Sequence, residues 1–158
     1  MSNSIPEGWE NALIGNYVSI QGGCAFKSED FHEFGVPIIR ISNIKRNGSI
    51  DLTESVFTKF EPVLSRYEIA NGDVLIAMSG ATTGKVGRYH SSNLAYMNQR
   101  VGRFKVRDTS KVKLDFIHQV TSTDQFISAV LVDAAGGAQP NISNQQIESF
   151  NVLLPPTP

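Results

Sequence analysis

The 158-residue chain has one cysteine, Cys24, and one tryptophan, Trp9. A single thiol can form neither an internal disulfide nor a cysteine-rich zinc site, so a reducing cytoplasm is the compartment that fits. Cys24 is expected to pack as a small apolar group, because no His or Asn placement supports a catalytic thiol. No apolar run approaches the ~20 residues of a membrane helix. The opening "MSNSIPEGWE" has neither a basic start nor an apolar stretch, which excludes a secretory signal. The three histidines, His32, His90 and His118, are far apart and lack ligand spacing. There is no G-x-S-x-G elbow, dinucleotide fingerprint or compact carboxylate pair. These absences argue against an enzyme.

The net charge of −1 gives no hint of nucleic acid, but the charge is unevenly spread. Lys85 to Lys113 holds eight basic residues (Lys85, Arg88, Arg100, Arg103, Lys105, Arg107, Lys111, Lys113) and one acid, Asp108. That stretch carries +7 and the remainder −8. Arg40, Lys45 and Arg46 form a second basic group with no acid among them. Because salt hides charges beyond ~10 Å, a local positive surface can bind phosphates on a neutral chain. An ordinary solvated face explains the same charges equally well.

The periodicity changes along the chain. "VPIIRI" (36–41) and "DVLIAM" (73–78) read as strands, and the latter as a buried one. Asn47-Gly48 marks a tight turn. "FEPVLSRYEIANGD" reads as a short helical turn ending at Asn71-Gly72, and "KVGRYH" as a strand. "RVGRFKVR" (100–107) alternates, with Phe104 and Val106 inward and a basic outer face of Arg103, Lys105 and Arg107. "LDFIHQV" and "DQFISAVLVDAA" read as helices, the second with a stripe of Phe126, Ile127, Val130 and Leu131. Gly136-Gly137 is expected to end it as a left-handed cap. Ser143 and Gln146 have capping-box spacing for a third short helix, and "NVLLPP" is a final strand. Strands first and helices last predict an α+β fold: a twisted, mostly antiparallel sheet with short helices toward the C-terminus. Leu75, Ile76, Phe104, Val106, Phe126, Val130 and Leu153 are the expected core, with Trp9 packing near the first strand.

The stretch "MSGATTGKVG" (78–87) looks like a phosphate loop but fails three requirements of one. Only three residues separate Gly80 from Gly84, Val86 replaces the Mg-binding hydroxyl after Lys85, and a strand follows rather than a helix. Its glycines suit a strand-to-strand connection. Binding chemistry recurs in other loops. "MNQR" (97–100) places Asn98, Gln99 and Arg100 together, and "GGAQPN" adds Gln139 and Asn141. Asn and Gln can pair with adenine, Arg with guanine. Singly, such residues only populate turns; with the basic stretch they point toward DNA.

Taken in order, five segments resemble one family, the target recognition domain of the type I restriction–modification specificity (S) subunit. They are "GWENALIGNYVSIQGGCAFKSEDF" with its "GGxAFKS" element, "GVPIIRISNI", "NGDVLIAMSGATTGKVGR", "NQRVGRF" and "GGAQPNISNQQIESFNVLLPP". The resemblance covers essentially the whole chain. It implies a non-catalytic domain that reads one half of a split duplex target. Methyl transfer would belong to a partner modification (methyltransferase) subunit, and cleavage indirectly to a restriction subunit. S-adenosylmethionine, ATP and Mg are expected only on those partners, and no cofactor or metal on this chain. One departure is evident: the chain stops at Thr157-Pro158, where the family's long spacer helix would begin. The expectation is therefore a single recognition domain over 1–158, a fragment or a truncated half-subunit.

The expected DNA contacts are Lys27, Ser28, Asn43, Lys45, Ser79, Thr82, Thr83, Lys85, Asn98, Gln99, Arg100, Gln139 and Asn141. Lys, Ser and Thr would position the backbone, while Asn, Gln and Arg would read bases. Two rivals stay open: a protein-interaction module that docks a partner without reading DNA, and a small enzyme with a dispersed site.

Overall fold

A computed structural model of the protein describes residues 4–156. In chain order the strands are β1 (Glu10–Leu13), β2 (Val18–Gly22), β3 (Val36–Ile39), β4 (Val56–Thr58), β5 (Glu68–Ile69), β6 (Val74–Ala77), β7 (Val86–Arg88), β8 (Ala95–Met97) and β9 (Val101–Val106). The helices α1 (Leu114–Thr121), α2 (Asp124–Ala134) and α3 (Asn144–Glu148) follow, and β10 (Asn151–Leu154) closes the order. The α+β class is as expected from the sequence. The strands, however, form two four-stranded sheets, β2-β9-β6-β7 and β4-β3-β8-β5, plus a β1-β10 ribbon, rather than one sheet. Among the described residues all strand pairings are antiparallel except β3 with β8.

β6 explains the layering. Its four residues are all buried, because successive side chains point to opposite faces and both faces are covered. Val74 and Ile76 join a core with Ile20, Phe104, Ile117, Phe126, Val130 and Ile147, between the first sheet and the helices. Leu75 and Ala77 join Ile39, Ile69, Met97 and Val101, between the two sheets. Helices, first sheet and second sheet therefore stack in that order, with β6 in the middle layer.

Two of the three helices begin where a short polar side chain satisfies an orphaned backbone N–H, while α1 starts after Lys113 without a side-chain cap. At α2, Thr123 Oγ1 accepts from the Phe126 N–H at 3.2 Å. At α3 the reciprocal box forms as expected: the Gln146 N–H donates to Ser143 Oγ at 3.1 Å, and the Ser143 N–H to Gln146 Oε1 at 2.9 Å. α3 also covers the free edge of β2. The Ile20 N–H donates to the Glu148 carboxylate at 2.9 Å, and Asn144 Nδ2 donates to the Ile20 carbonyl at 3.0 Å. These side chains occupy a strand edge that would otherwise offer unpaired groups to another chain.

Several expectations need correction. The turn over 60–73 is a 3-10 helix, Pro62–Tyr67, that runs directly into β5. Neither Gly136 nor Gly137 is left-handed, and α2 ends at Ala134 with Ala135 as its cap, whose N–H donates to the Val132 carbonyl. Leu131 and Leu153 are 44% exposed, because α2 buries the Phe126, Val130 and Ala134 face and β10 turns Val152 and Leu154 inward. Val106 is only partly buried, and Trp9, one residue before β1, is 39% exposed rather than packed.

Candidate nucleic-acid interface

The loop between β6 and β7 is a hairpin connection, as its sequence implied, and not a phosphate loop. The chain turns through a 3-10 segment, Gly80–Thr82, with Gly80 at φ +75° and Gly84 at φ +85°. These angles belong to the left-handed region that glycine occupies without strain. The Gly84 N–H donates to the Ala77 carbonyl at 2.8 Å, and the Ala77 N–H to the Lys85 carbonyl at 2.9 Å, which closes the loop at its base.

Hydrogen bonds draw the other four candidate loops to this one. Thr82 Oγ1 donates to the Ile41 carbonyl at 2.9 Å, which ties the hairpin to the loop after β3. The Asn98 N–H donates to the Ile39 carbonyl at 3.0 Å. Cys24 bridges Asn98, its N–H donating to the Met97 carbonyl at 2.8 Å. Ser79 bridges Asn141, and the Gly80 N–H donates to the Pro140 carbonyl at 3.1 Å. Five segments, spread along the chain from Cys24 to Asn141, thus share one backbone network. At Gly23 the approach is closest: a methyl group there would lie 2.1 Å from the Asn98 oxygen and 2.3 Å from the Met97 oxygen.

The candidate residues divide by exposure. Lys27, Ser28, Lys45, Gln99, Gln139 and Asn141 are exposed. Lys27 lies 3.9 Å from Glu29, and Lys45 Nζ donates to the Ser42 carbonyl at 3.0 Å. Ser79, Thr82, Lys85, Asn98 and Arg100 are half-buried. Arg100 turns back on the loop, with Nε donating to Ser79 Oγ at 3.3 Å and a terminal nitrogen to the Met78 carbonyl at 3.4 Å. The Gln99 side chain, by contrast, is solvent-facing, while Asn98 Oδ1 accepts from the Gln99 N–H at 2.7 Å. Lys85 faces a groove beside α1 and α2 that also takes Arg46 and His118. Burial and the neighbouring Arg88 hold His118 below the usual histidine range.

Asn43 and Thr83 are not available to a ligand. Both are 3% exposed. Asn43 accepts from the Arg40 N–H and donates to the Asp51 carbonyl, each at 2.8 Å. Thr83 Oγ1 donates to the Gly80 carbonyl at 2.7 Å. Each spends its side chain on shaping its own loop. Sequence reasoning also left out Arg46, which lines the same groove as Lys85 and was signalled by the acid-free run from Arg40 to Arg46, and Gly23, which sets how closely two loops meet. Cys24 is half-buried, and burial, aided by Asp30 and Glu61, pushes its thiol up, away from thiolate chemistry.

The +7 stretch is not one patch. Arg88 pairs with Asp115 at 2.6 Å, Arg103 with Asp73 at 2.9 Å, and Arg107 donates to the Gly15 carbonyl. Its charges fall on different faces because they sit on a hairpin, an alternating strand and a helix lead-in.

A profile described as the type I restriction modification DNA specificity domain matches residues 6–158. The chain belongs to that family. This specificity domain is 28% identical over 160 residues to the StySPI specificity subunit of Salmonella potsdam, covering 98% of this chain and 34% of that protein. It is 26% identical to the EcoKI specificity subunit of Escherichia coli K12, again covering 98% and 34%. With the MjaVIII specificity subunit of Methanocaldococcus jannaschii the identity is 29%, over 96% of this chain and 36% of the relative. The domain thus spans about a third of the length of these relatives. In fold it is similar to the type I S subunit from M. genitalium, with a TM-score of 0.65, 13% identity and coverage of 98% and 36%. It is likewise similar to the HsdS subunit from Thermoanaerobacter tengcongensis, with a TM-score of 0.65, 16% identity and coverage of 98% and 35%. Among the described residues, no helix is long and apolar enough to cross a membrane.

Proposed function

We propose that this chain reads one half of a split duplex DNA target as the recognition domain of a type I specificity subunit. The observation that carries the reading is the joining of five polar loops into one platform, which leaves Lys27, Lys45, Gln99, Gln139 and Asn141 solvent-facing. Amides suit base edges and ammonium groups suit phosphates. Within this reading the chain does no chemistry. It directs a modification subunit, which would carry S-adenosylmethionine, and indirectly a restriction subunit with its ATP and Mg, to DNA in the cytoplasm.

The test is a transplant. Residues 1–158 replace one recognition domain of a working type I specificity subunit, and methylated bases are mapped across the host genome. A change in one half of the methylated motif, with the other half kept, is the expected result. Loss of methylation by a chimera that still folds and assembles with the methyltransferase would favour a protein-docking role instead.

Within the platform, Gln99→Ala is expected to relax base preference at one position by about 1–3 kcal/mol, the scale of one bidentate pair. Competition binding with single-base variants of the recognised half-site checks this. An equal loss for every sequence would assign Gln99 to the backbone or to folding.

A further inference from the structure

The two sheets part at the β2 edge and leave a cleft of about 1030 Å³, which none of the platform residues lines. Its chemistry is unexpected for its position. Along β9, Val101 faces the core between the sheets. The next residues on that same face, Arg103 and Lys105, are cationic, and their partners on β2 are Gln21 and Ser19. An inter-sheet face that begins apolar thus becomes polar and basic where the sheets splay. The opposite wall brings Arg66 and Glu68.

Arg103 and Gln21 make the floor. Arg103 donates to Asp73 at 2.9 Å, to Gln21 Oε1 at 2.7 Å and to the Glu68 and Arg66 carbonyls, and Gln21 donates to the Arg66 carbonyl. The two terminal nitrogens of Arg103 are thus fully used inside the protein, while its buried Nε has no partner among the described residues. Lys105 and Arg66 differ. Both are exposed, neither has an ion-pair partner among the described residues, and the Arg66 guanidinium sits 5.2 Å over the Tyr67 ring. Among the described residues, Glu68 is the one carboxylate lining the cleft. The cleft is linked to the reading platform through the chain: Gly22 lines it, and the next two residues, Gly23 and Cys24, meet Asn98.

We propose that this cleft binds phosphate, and that its source is the DNA backbone flanking the bases read by the platform, held by Lys105 and Arg66. The proposal rests on the DNA-reading function above. It adds a sequence-independent contact on a different surface. Phosphate contacts release condensed counterions, so each one steepens the salt dependence of binding by about 0.9.

The experiment uses the purified chain and duplexes carrying the half-site found by the transplant, with affinity measured across a salt series. The variants are Lys105→Ala with Arg66→Ala, and the charge-keeping Lys105→Arg. For the double variant the expected result is about a tenfold loss for every duplex, a salt slope shallower by about two, unchanged base preference and an unchanged melting temperature. Lys105→Arg should bind like the wild type. An unchanged slope in the double variant, with wild-type binding intact, overturns the proposal and leaves the reading function standing. Absence of salt-dependent duplex binding by the wild-type chain overturns both. Inorganic phosphate or ATP shifting the NMR signals of Lys105 and Arg66, with duplex leaving them unmoved, would overturn the DNA source.

Discussion

Gly23→Ala is expected to cost about 3 kcal/mol of stability, the upper end of overpacking costs, and to abolish base preference. The added methyl group would stand 2.1 Å from the Asn98 oxygen, 2.3 Å from the Met97 oxygen and 2.4 Å from the Asn98 carbonyl carbon. All three are backbone atoms, so no rotamer change relieves the overlap. Either the segment after β2 or the segment after β8 must move by roughly an ångström to restore ordinary contact distances. The hydrogen bond from Cys24 to Met97 is lost in either case, and Asn98 and Gln99 leave their positions. Gly22→Ala is the control: nothing lies within 4 Å of the added atom and the backbone is not left-handed, so its effect should stay within about 0.5 kcal/mol. Urea denaturation of the two variants decides the matter. Equal midpoints would mean that the two loops are not held together as described.

Arg103→Met should be the second severe change, at about 3–5 kcal/mol. The Arg103 and Asp73 side chains are 12% and 23% exposed, and the guanidinium joins strands of both sheets. Methionine roughly fills the volume but takes the cation from the Asp73 carboxylate, which keeps only the Ala70 N–H, and removes the guanidinium donor from the Gln21 oxygen and the Glu68 carbonyl, while the Arg66 carbonyl retains Gln21. Arg103→Lys would keep the charge and lose the planar fork, so it should recover only part of the loss. A double-mutant cycle with Asp73→Asn measures the pair itself. A loss under about 1 kcal/mol for Arg103→Met would show that solvent screens the pair as it does at a surface.

Gly23 and Arg103 also mark where sequence reading stops. The apolar run "VLIA" could be read as a doubly buried strand from its own side chains, and the glycines of 80–84 as a hairpin because a strand follows them. The Ser143 and Gln146 box needed only their spacing along the chain. Such features depend on neighbours a few residues apart. Arg103 was read as part of a solvated basic face because its partner, Asp73, lies 30 residues away and belongs to the turn before β6. The division into two sheets was equally hidden, since it turns on the parallel pairing of β3 with β8, two strands far apart in the chain. At the candidate interface, the five loops could be named from their residues. Which side chains face outward could not, because Asn43 and Thr83 use the same hydrogen-bonding groups inward that would otherwise face DNA.

The β1-β10 ribbon has a consequence for how such a domain is carried in a longer chain. Glu10 is registered opposite Leu154, and Leu13 opposite Asn151, so the first and last strands run side by side with Cα atoms about 5 Å apart. A polypeptide arriving at β1 and departing from β10 passes through a single narrow gate. Everything between those residues can be exchanged for another sequence of the same outline without shifting what lies on either side. The geometry makes the domain a cassette: recombination with both breakpoints near the gate would give a new reading surface in one event and leave the rest of the host protein in place.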